Sequence, residues 1–230
     1  MSDYGLIVVN DNDEVQIDST YRNFSKVESG TDTLIANATE IDITDLSVPP
    51  IVAWRPDASY TSMFYCYERD GSDYISFWMA GHFPDGGGDI DWVIYTHSNA
   101  VLPSDEYGLV VMNAAGEVCF SSEERYLKIK GVHQITNTWD TLTELGEAYL
   151  DVTVNDADNN YFILTPFNFY GYPMWQKFPG YWEYDLFTLG IQYINSTTIR
   201  VRGFQYGRIV YQGATGFAIM QDLQLLEVGY

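Results

Sequence analysis

Tyr4-Gly5-Leu6-Ile7-Val8-Val9-Asn10 returns 103 residues later as Tyr107-Gly108-Leu109-Val110-Val111-Met112-Asn113. At that offset the match runs on through Glu14-Val15 against Glu117-Val118 and Ser19 against Ser122, eight identities in sixteen positions, where average residue usage gives about one. Arg22 then meets Arg125, and an apolar residue follows two places on in each copy, Phe24 and Leu127. Each copy reads as a β-hairpin: an apolar run, a polar turn (Asp11-Asn12-Asp13 or Ala114-Ala115-Gly116), then a short alternating strand. The first run is apolar on both faces and is expected to lie centrally.

Working outward, a weaker echo links Pro50-Ile51-Val52-Ala53-Trp54-Arg55-Pro56 with Asn160-Tyr161-Phe162-Ile163-Leu164-Thr165-Pro166, now at an offset of 110. Both are apolar strands closed by proline. Tyr60–Tyr67 and Tyr74–Met79 flank the hydrophilic stretch Glu68–Asp73 and predict another hairpin. Ile90–His97, Ala148–Val154, Thr188–Tyr193, Thr198–Phe204, Arg208–Gln212 and Phe217–Glu227 read as further strands, and no comparable segment has a helical period. Val, Ile, Thr and aromatic residues outweigh the Ala/Leu/Lys/Glu mixture of long helices. The expected class is all-β: two tandem β-sandwich-like modules related by internal duplication, residues 1–104 and 105–230. Pro103-Ser104-Asp105-Glu106 punctuates the boundary.

Eleven basic residues against thirty-two acidic ones leave a formal charge of −21, shared by both halves. That field repels phosphate backbones and argues against nucleic-acid binding. It keeps an aromatic-rich chain soluble. No run approaches the roughly 18 apolar residues of a membrane span, and Met1–Asn10 lacks a basic region and a cleavage site, so synthesis and folding in a cytoplasm are expected. Cys66 and Cys119, one in each half, read as small apolar residues rather than a disulfide framework. Three Asn-x-Ser/Thr triplets, at Asn23, Asn37 and Asn195, read as chance matches to the glycosylation pattern.

The residues point to no catalytic set, metal or cofactor. His82, His97 and His133 are the whole supply of the commonest general base. His82 opens the segment 82–91, rich in glycine and aspartate, but hard-ion sites need converging oxygens that this spacing does not specify. Its three glycines lack the following Gly-Lys-Ser/Thr of a phosphate loop. Asp11, Asp13 and Glu14 fit a hairpin turn better than a calcium loop. Paired carboxylates are always available among thirty-two acidic residues and so carry no weight.

One constellation stands apart. Between Tyr161 and Phe187 lie twelve aromatics in 27 residues, interrupted by Gly171, Pro173, Pro179 and Gly180. An aromatic side chain buries roughly 150–250 Å², so the expected loop from Phe169 to Tyr184 carries more apolar area than its own module covers. Phe169, Tyr170, Tyr172, Trp175, Phe178, Tyr181, Trp182 and Tyr184 are the candidate binding residues. Three covers are open: the first module, a neighbouring subunit, or a sugar stacked on Trp175 or Trp182.

The opening Tyr-Gly-Leu-x-Val-x-Asn, the second strand ending in Asp18-Ser19 or Ser121-Ser122, and Trp54-Arg55-Pro56 together resemble a group of small proteins encoded among the tail genes of bacteriophages. The resemblance covers both hairpins and about a third of the chain. It implies a virion component of the tail tip, baseplate or fibre, made in the host cytoplasm, with no catalytic residues to transfer. The implied partners are other tail proteins, in a homo-oligomer or hetero-assembly. The alternatives are a host-receptor or glycan-binding module of the tail and, further off, a polysaccharide-degrading enzyme. The chain departs from the pattern at Leu164-Thr165-Pro166 and in the aromatic segment.

Overall fold

The computed structural model describes residues 7–9, 15–18, 23–35, 38–57, 61–82, 88–97, 108–135, 149–165, 170–178, 181–212 and 223–229. These residues form seventeen strands and no helix, so none that could cross a membrane. In the first half the strands are β1 (Ile7–Val9), β2 (Val15–Asp18), β3 (Ser25–Leu34), β4 (Thr39–Leu46), β5 (Ile51–Arg55), β6 (Thr61–Asp70), β7 (Asp73–His82) and β8 (Gly88–Thr96). The second half supplies β9 (Val110–Met112), β10 (Val118–Ser121), β11 (Lys128–Ile135), β12 (Tyr149–Thr153), β13 (Tyr161–Thr165), β14 (Tyr170–Phe178), β15 (Tyr181–Asn195), β16 (Thr198–Gln212) and β17 (Leu223–Gly229).

The two sequence copies fold into hairpins with one register. Ile7, Val8 and Val9 pair with Asp18, Ile17 and Val15; Val110, Val111 and Met112 pair with Ser121, Phe120 and Val118, the same partners displaced by 103. Even the bulge falls in the same place. The second copy explains which residues recur. Asn113 Oδ1 accepts hydrogen bonds from the backbone N–H groups of Ala115 and Glu117, each at 2.9 Å, and its Nδ2 donates to Glu117 Oε2 at 2.8 Å. Ser122 Oγ accepts from Leu109 N at 2.9 Å. Asn and Glu clamp the turn, and Ser closes the open end. The hairpins are not central, however: β1–β2 and β9–β10 are separate two-stranded sheets. Leu109 and Met112 are about half exposed.

The other strands build two large antiparallel sheets, ordered β11-β17-β13-β5-β8-β3 and β12-β16-β15-β6-β7-β4, with β14 added to β15. Matching the halves strand by strand (β3 with β11, β4 with β12, β5 with β13, β6 with β15, β7 with β16, β8 with β17), each order reads the same from either end. At the centre, Trp54 faces Phe162 across β5–β13 and Ser62 faces Ile191 across β6–β15. The bulge between Lys26 and Glu28 in β3 recurs 103 residues on, between Ile129 and Gly131 in β11. Each large sheet is therefore shared by the residues on either side of 104/105, which do not enclose separate cores.

The sheets face each other over one apolar layer. Leu34, Val52, Trp54, Ile94, Phe162 and Leu225 of the six-stranded sheet join Ile41, Phe77, Met79, Ile191, Ile199 and Val201 of the seven-stranded sheet in a single cluster. A strand exposes alternate residues to opposite faces, and the six-stranded sheet uses both. Its outer face buries Ala53, Val93, Tyr95, Ile163 and Val228, with Phe24 and Leu127 packed against them. Phe24 and Leu127, matched at the 103 offset, meet directly: Leu127 N donates to Phe24 O at 2.8 Å and Lys26 N to Arg125 O at 2.7 Å. Beside this crossing the Tyr126 hydroxyl accepts from Ser121 N at 2.6 Å. Burial pushes it up to about 12.

Gly30 makes room for the core. A Cβ there would stand 2.7 Å from Cζ2 of Trp92, whose ring is fixed by Phe77 and by its Nε1–H donating to Asp32 at 2.6 Å. Gly30→Ala is expected to cost about 1–3 kcal/mol through overpacking; a urea melt unchanged from wild type would refute this.

Several expectations change. The 60–79 hairpin forms, but its turn is only Gly71-Ser72, with Gly71 at φ +60°. Strands expected at 198–204 and 208–212 are one continuous strand, β16. The expected aromatic loop 169–184 is instead, over its described residues, a hairpin of β14 against β15, in keeping with the strand preference of aromatic residues. Cys119 is buried, whereas Cys66 is only half-buried, and neither is in a disulfide. Thus the small-apolar reading describes Cys119 better.

Candidate functional site

Two features concentrate chemistry: a polar cleft where the halves join, and the aromatic ribbon. The cleft is organised by Arg55, the last residue of β5. Its side chain pairs with the Asp91 carboxylate on β8 and donates from Nη1 to the Asp158 carbonyl at 2.8 Å. The guanidinium also lies 5.2 Å from the Tyr161 ring centroid. Tyr193 completes the tie, donating its hydroxyl to Asp158 at 2.6 Å and its backbone N–H to Asp57 O at 3.1 Å. Arg55, Asp57 and Asp91 come from the first half, while Asp158, Tyr161 and Tyr193 come from the second.

Electrostatics there favour holding over proton transfer. Burial by itself would raise the Asp91 carboxyl, but the Thr31 hydroxyl at 2.6 Å and the Arg55 guanidinium outweigh it and hold the group below its usual range. The Tyr193 hydroxyl is shifted up by its hydrogen bond to Asp158. An anchored carboxylate of lowered pKa makes a poor general acid near neutrality. Two hollows flank Arg55, of about 320 Å³ beside Asp57, Asp89, Asp158 and Tyr193, and about 520 Å³ beside Lys130, Asp156, Asn159 and Asn160. In the strand registers, Thr165 and Gln224 pair on the second half as Arg55 and Asp91 do on the first. Neither residue of that second pair is charged, so it does not repeat the Arg55–Asp91 ion pair.

Next to the cleft, Glu227 organises the β12–β13 connection. It is fully buried and accepts from Asn155 N and Nδ2, each at 2.9 Å, from Asp156 N at 2.8 Å and from Asn160 Nδ2 at 2.6 Å. His133 Nε2 lies 3.3 Å away. Burial works against ionisation, but this set of donors prevails and holds the carboxyl below its ordinary value.

The sequence candidates fall on the ribbon. Tyr170, Tyr172, Trp175 and Phe178 lie on β14, and Tyr181, Trp182 and Tyr184 on β15; Phe169 lies outside the described residues. The backbone brings Phe178 opposite Tyr181, Gln176 opposite Trp182 and Pro173 opposite Tyr184. Across the other ladder Trp182 faces Tyr211 and Tyr184 faces Ile209. Since β16 occupies one edge of β15 throughout, β14 takes the edge that β6 holds near Ile191. β15 and β16 are 15 residues each, against 10 for β6 and β7, and among the described residues β14 has no counterpart in the first half.

The remaining candidates do not converge. His97 packs its ring edge against Phe24 at 5.7 Å, and His133 serves the Glu227 network. His82 ends β7, while residues 83–87 and the turn 11–14 lie outside the described residues. Sequence reading missed the cleft: Arg55 was visible as the close of an apolar strand and within the Trp54-Arg55-Pro56 of the resemblance, and Asp158 and Tyr193 carried no motif. The available signal was Arg55 itself, one of four basic residues among 104. In comparisons with known proteins, no family model, curated protein or solved structure matches the chain.

Proposed function

We propose that the protein is a structural component of a bacteriophage virion tail, at the tip, the baseplate or a fibre, and that its halves arose by internal duplication. The duplication reading draws support from the shared 103-residue register of the hairpins, the recurring bulge and the palindromic strand orders. One observation carries the functional reading: the aromatic density sits on a three-stranded ribbon that, among the described residues, only the second half possesses. A duplicated frame needs no such addition for its own core. The ribbon is the surface on which a neighbouring tail subunit packs, with aromatic anchors suited to a desolvated interface.

Quantitative mass spectrometry of purified virions tests this. The chain is expected in the particle at a fixed copy number, and a Trp175→Ala/Trp182→Ala chain should be lost from it while keeping the wild-type melt. A chain absent from particles that binds host-surface glycan as a monomer would overturn the proposal in favour of a receptor-binding role. Release of sugar from capsule or lipopolysaccharide would favour an enzyme instead.

A further inference from the structure

The outer edges of the sheets differ in a way that the internal match between halves does not require. Among the described residues, β3 and β4 border the two sheets at one end of the sandwich, and β11 and β12 border them at the other. Of the eight large apolar side chains exposed among the described residues, six lie on or next to these edges: Val27 and Ile35 at β3, Ile129 and Val132 on β11, and Tyr149 and Leu150 on β12. Unpaired, apolar edges are templates for strand addition, and monomeric sheets normally guard them; here residues 125–127 cover Ser25 and Lys26 at the start of β3, so the strand-addition edge is the stretch 27–34. Charge separates the two ends. β3 and β4 carry one lysine against Glu28, Asp32, Glu40, Asp42 and Asp45, a balance of −4; β11 and β12 carry Lys128 and Lys130 against Asp151, a balance of +1. In a chain of −21, an edge strand with two lysines and no acid is out of keeping with the rest.

We propose that copies of this chain assemble head to tail, the β11/β12 end of one adding to the β3/β4 end of the next, so that both sheets continue from copy to copy. Strand direction permits it. Every neighbouring pair along both sheets is antiparallel, and each sheet path has six strands, so β3 runs opposite to β11 and β4 opposite to β12. A copy placed by simple repetition therefore presents β11 antiparallel to β3 and β12 antiparallel to β4. A two-fold union of like ends would instead set the acidic edge against itself, or lysines against lysines, which cross-strand pairing penalises. The head-to-tail contact is heterologous: it closes as a ring if the rotation per copy allows and grows as a filament otherwise. This deepens the assembly reading by naming a second copy as one partner, and it uses a surface separate from the ribbon.

Sedimentation velocity on the full chain, across a wide concentration range at low salt, tests it. Wild type is expected to form a series larger than a dimer, or a closed ring, that dissociates as salt is raised. Lys128→Glu/Lys130→Glu makes both ends acidic and Asp42→Lys/Asp45→Lys makes both basic; all four residues are exposed. Each variant alone should associate roughly tenfold or more weakly, with an unchanged circular dichroism spectrum, and mixing the two should restore assembly. A wild type that stays monomeric or stops at a dimer would overturn the proposal, as would single variants that assemble like wild type or a mixture that stays apart. Trp175→Ala/Trp182→Ala should assemble like wild type, so loss of that variant from virions tests the ribbon alone.

Discussion

Trp54→Ala should lower the unfolding free energy by roughly 3–5 kcal/mol, the range for removing a large buried aromatic. Trp54 is 1% exposed and stands where both sheets and both halves meet. It faces Phe162 across the central ladder of one sheet. Its Nε1–H donates to Ser62 Oγ at 3.1 Å on the other sheet, and that hydroxyl donates onward to Ile191 O at 3.4 Å in the second half. Truncation therefore opens a cavity at the seam and removes the donor to a buried hydroxyl, leaving it only its 3.4 Å bond to Ile191 O. Trp54→Phe should recover all but about 1–2 kcal/mol, since it refills most of the space but not the hydrogen bond. Urea titration of the three proteins measures this. Because one apolar cluster spans the halves, the wild type should unfold in a single transition. Two separate transitions, with Trp54→Ala shifting only the first, would contradict the shared core.

Glu227→Ala should cost about 3 kcal/mol at neutral pH. The loss leaves two backbone N–H groups and two amide side chains without their acceptor inside the fold, and each stranded donor costs about 1 kcal/mol or more. Glu227→Gln is no remedy, because it turns a donor toward the donors of Asn155 or Asn160. The pH dependence has a definite sign. The Glu227 carboxyl is held below its ordinary value in the folded chain. Its contribution is therefore complete above the unfolded value of about 4.3 and is lost as pH falls through the lower folded value. Wild-type stability should drop across that acid range, and the gap to Glu227→Gln should narrow in step. A gap that stays constant down to full protonation would show that the carboxylate charge contributes nothing.

Legibility followed burial. Strands with a core face announced themselves: β5, β8 and β13 read as apolar runs, and the hairpin of β6 and β7 was visible from its turn. The strands that sequence reading passed over, β3, β4 and β11, are all outer edges, whereas the fourth outer edge, β12, was read as Ala148–Val154. In β3, Ser25 to Leu34 alternates half-buried Lys26, Glu28 and Asp32 with exposed Val27, Ser29 and Thr31. Half-wet edge positions accept polar residues, so the period-two signal fades. The aromatic segment failed for the opposite reason: residues apolar on both faces hide the alternation of β14 and β15. The cleft was illegible because its charged groups lie far apart in sequence, Arg55 and Asp158 being joined by a 2.8 Å contact across 103 residues.

By itself, the sequence determined the all-β class and the repeated hairpin that opens each half, because strand alternation, turn chemistry and the Asn–Glu clamp are local and act within about twenty residues. Only the tertiary structure decided how the halves relate: they share two sheets and one core rather than closing separately, and Arg55 faces Asp158 where they meet. The physical reason is that an apolar strand such as β5 satisfies its local pattern beside any suitable edge. Which edge it takes depends on the apolar area that both halves can bury together, a property of the whole chain and not of any stretch within it.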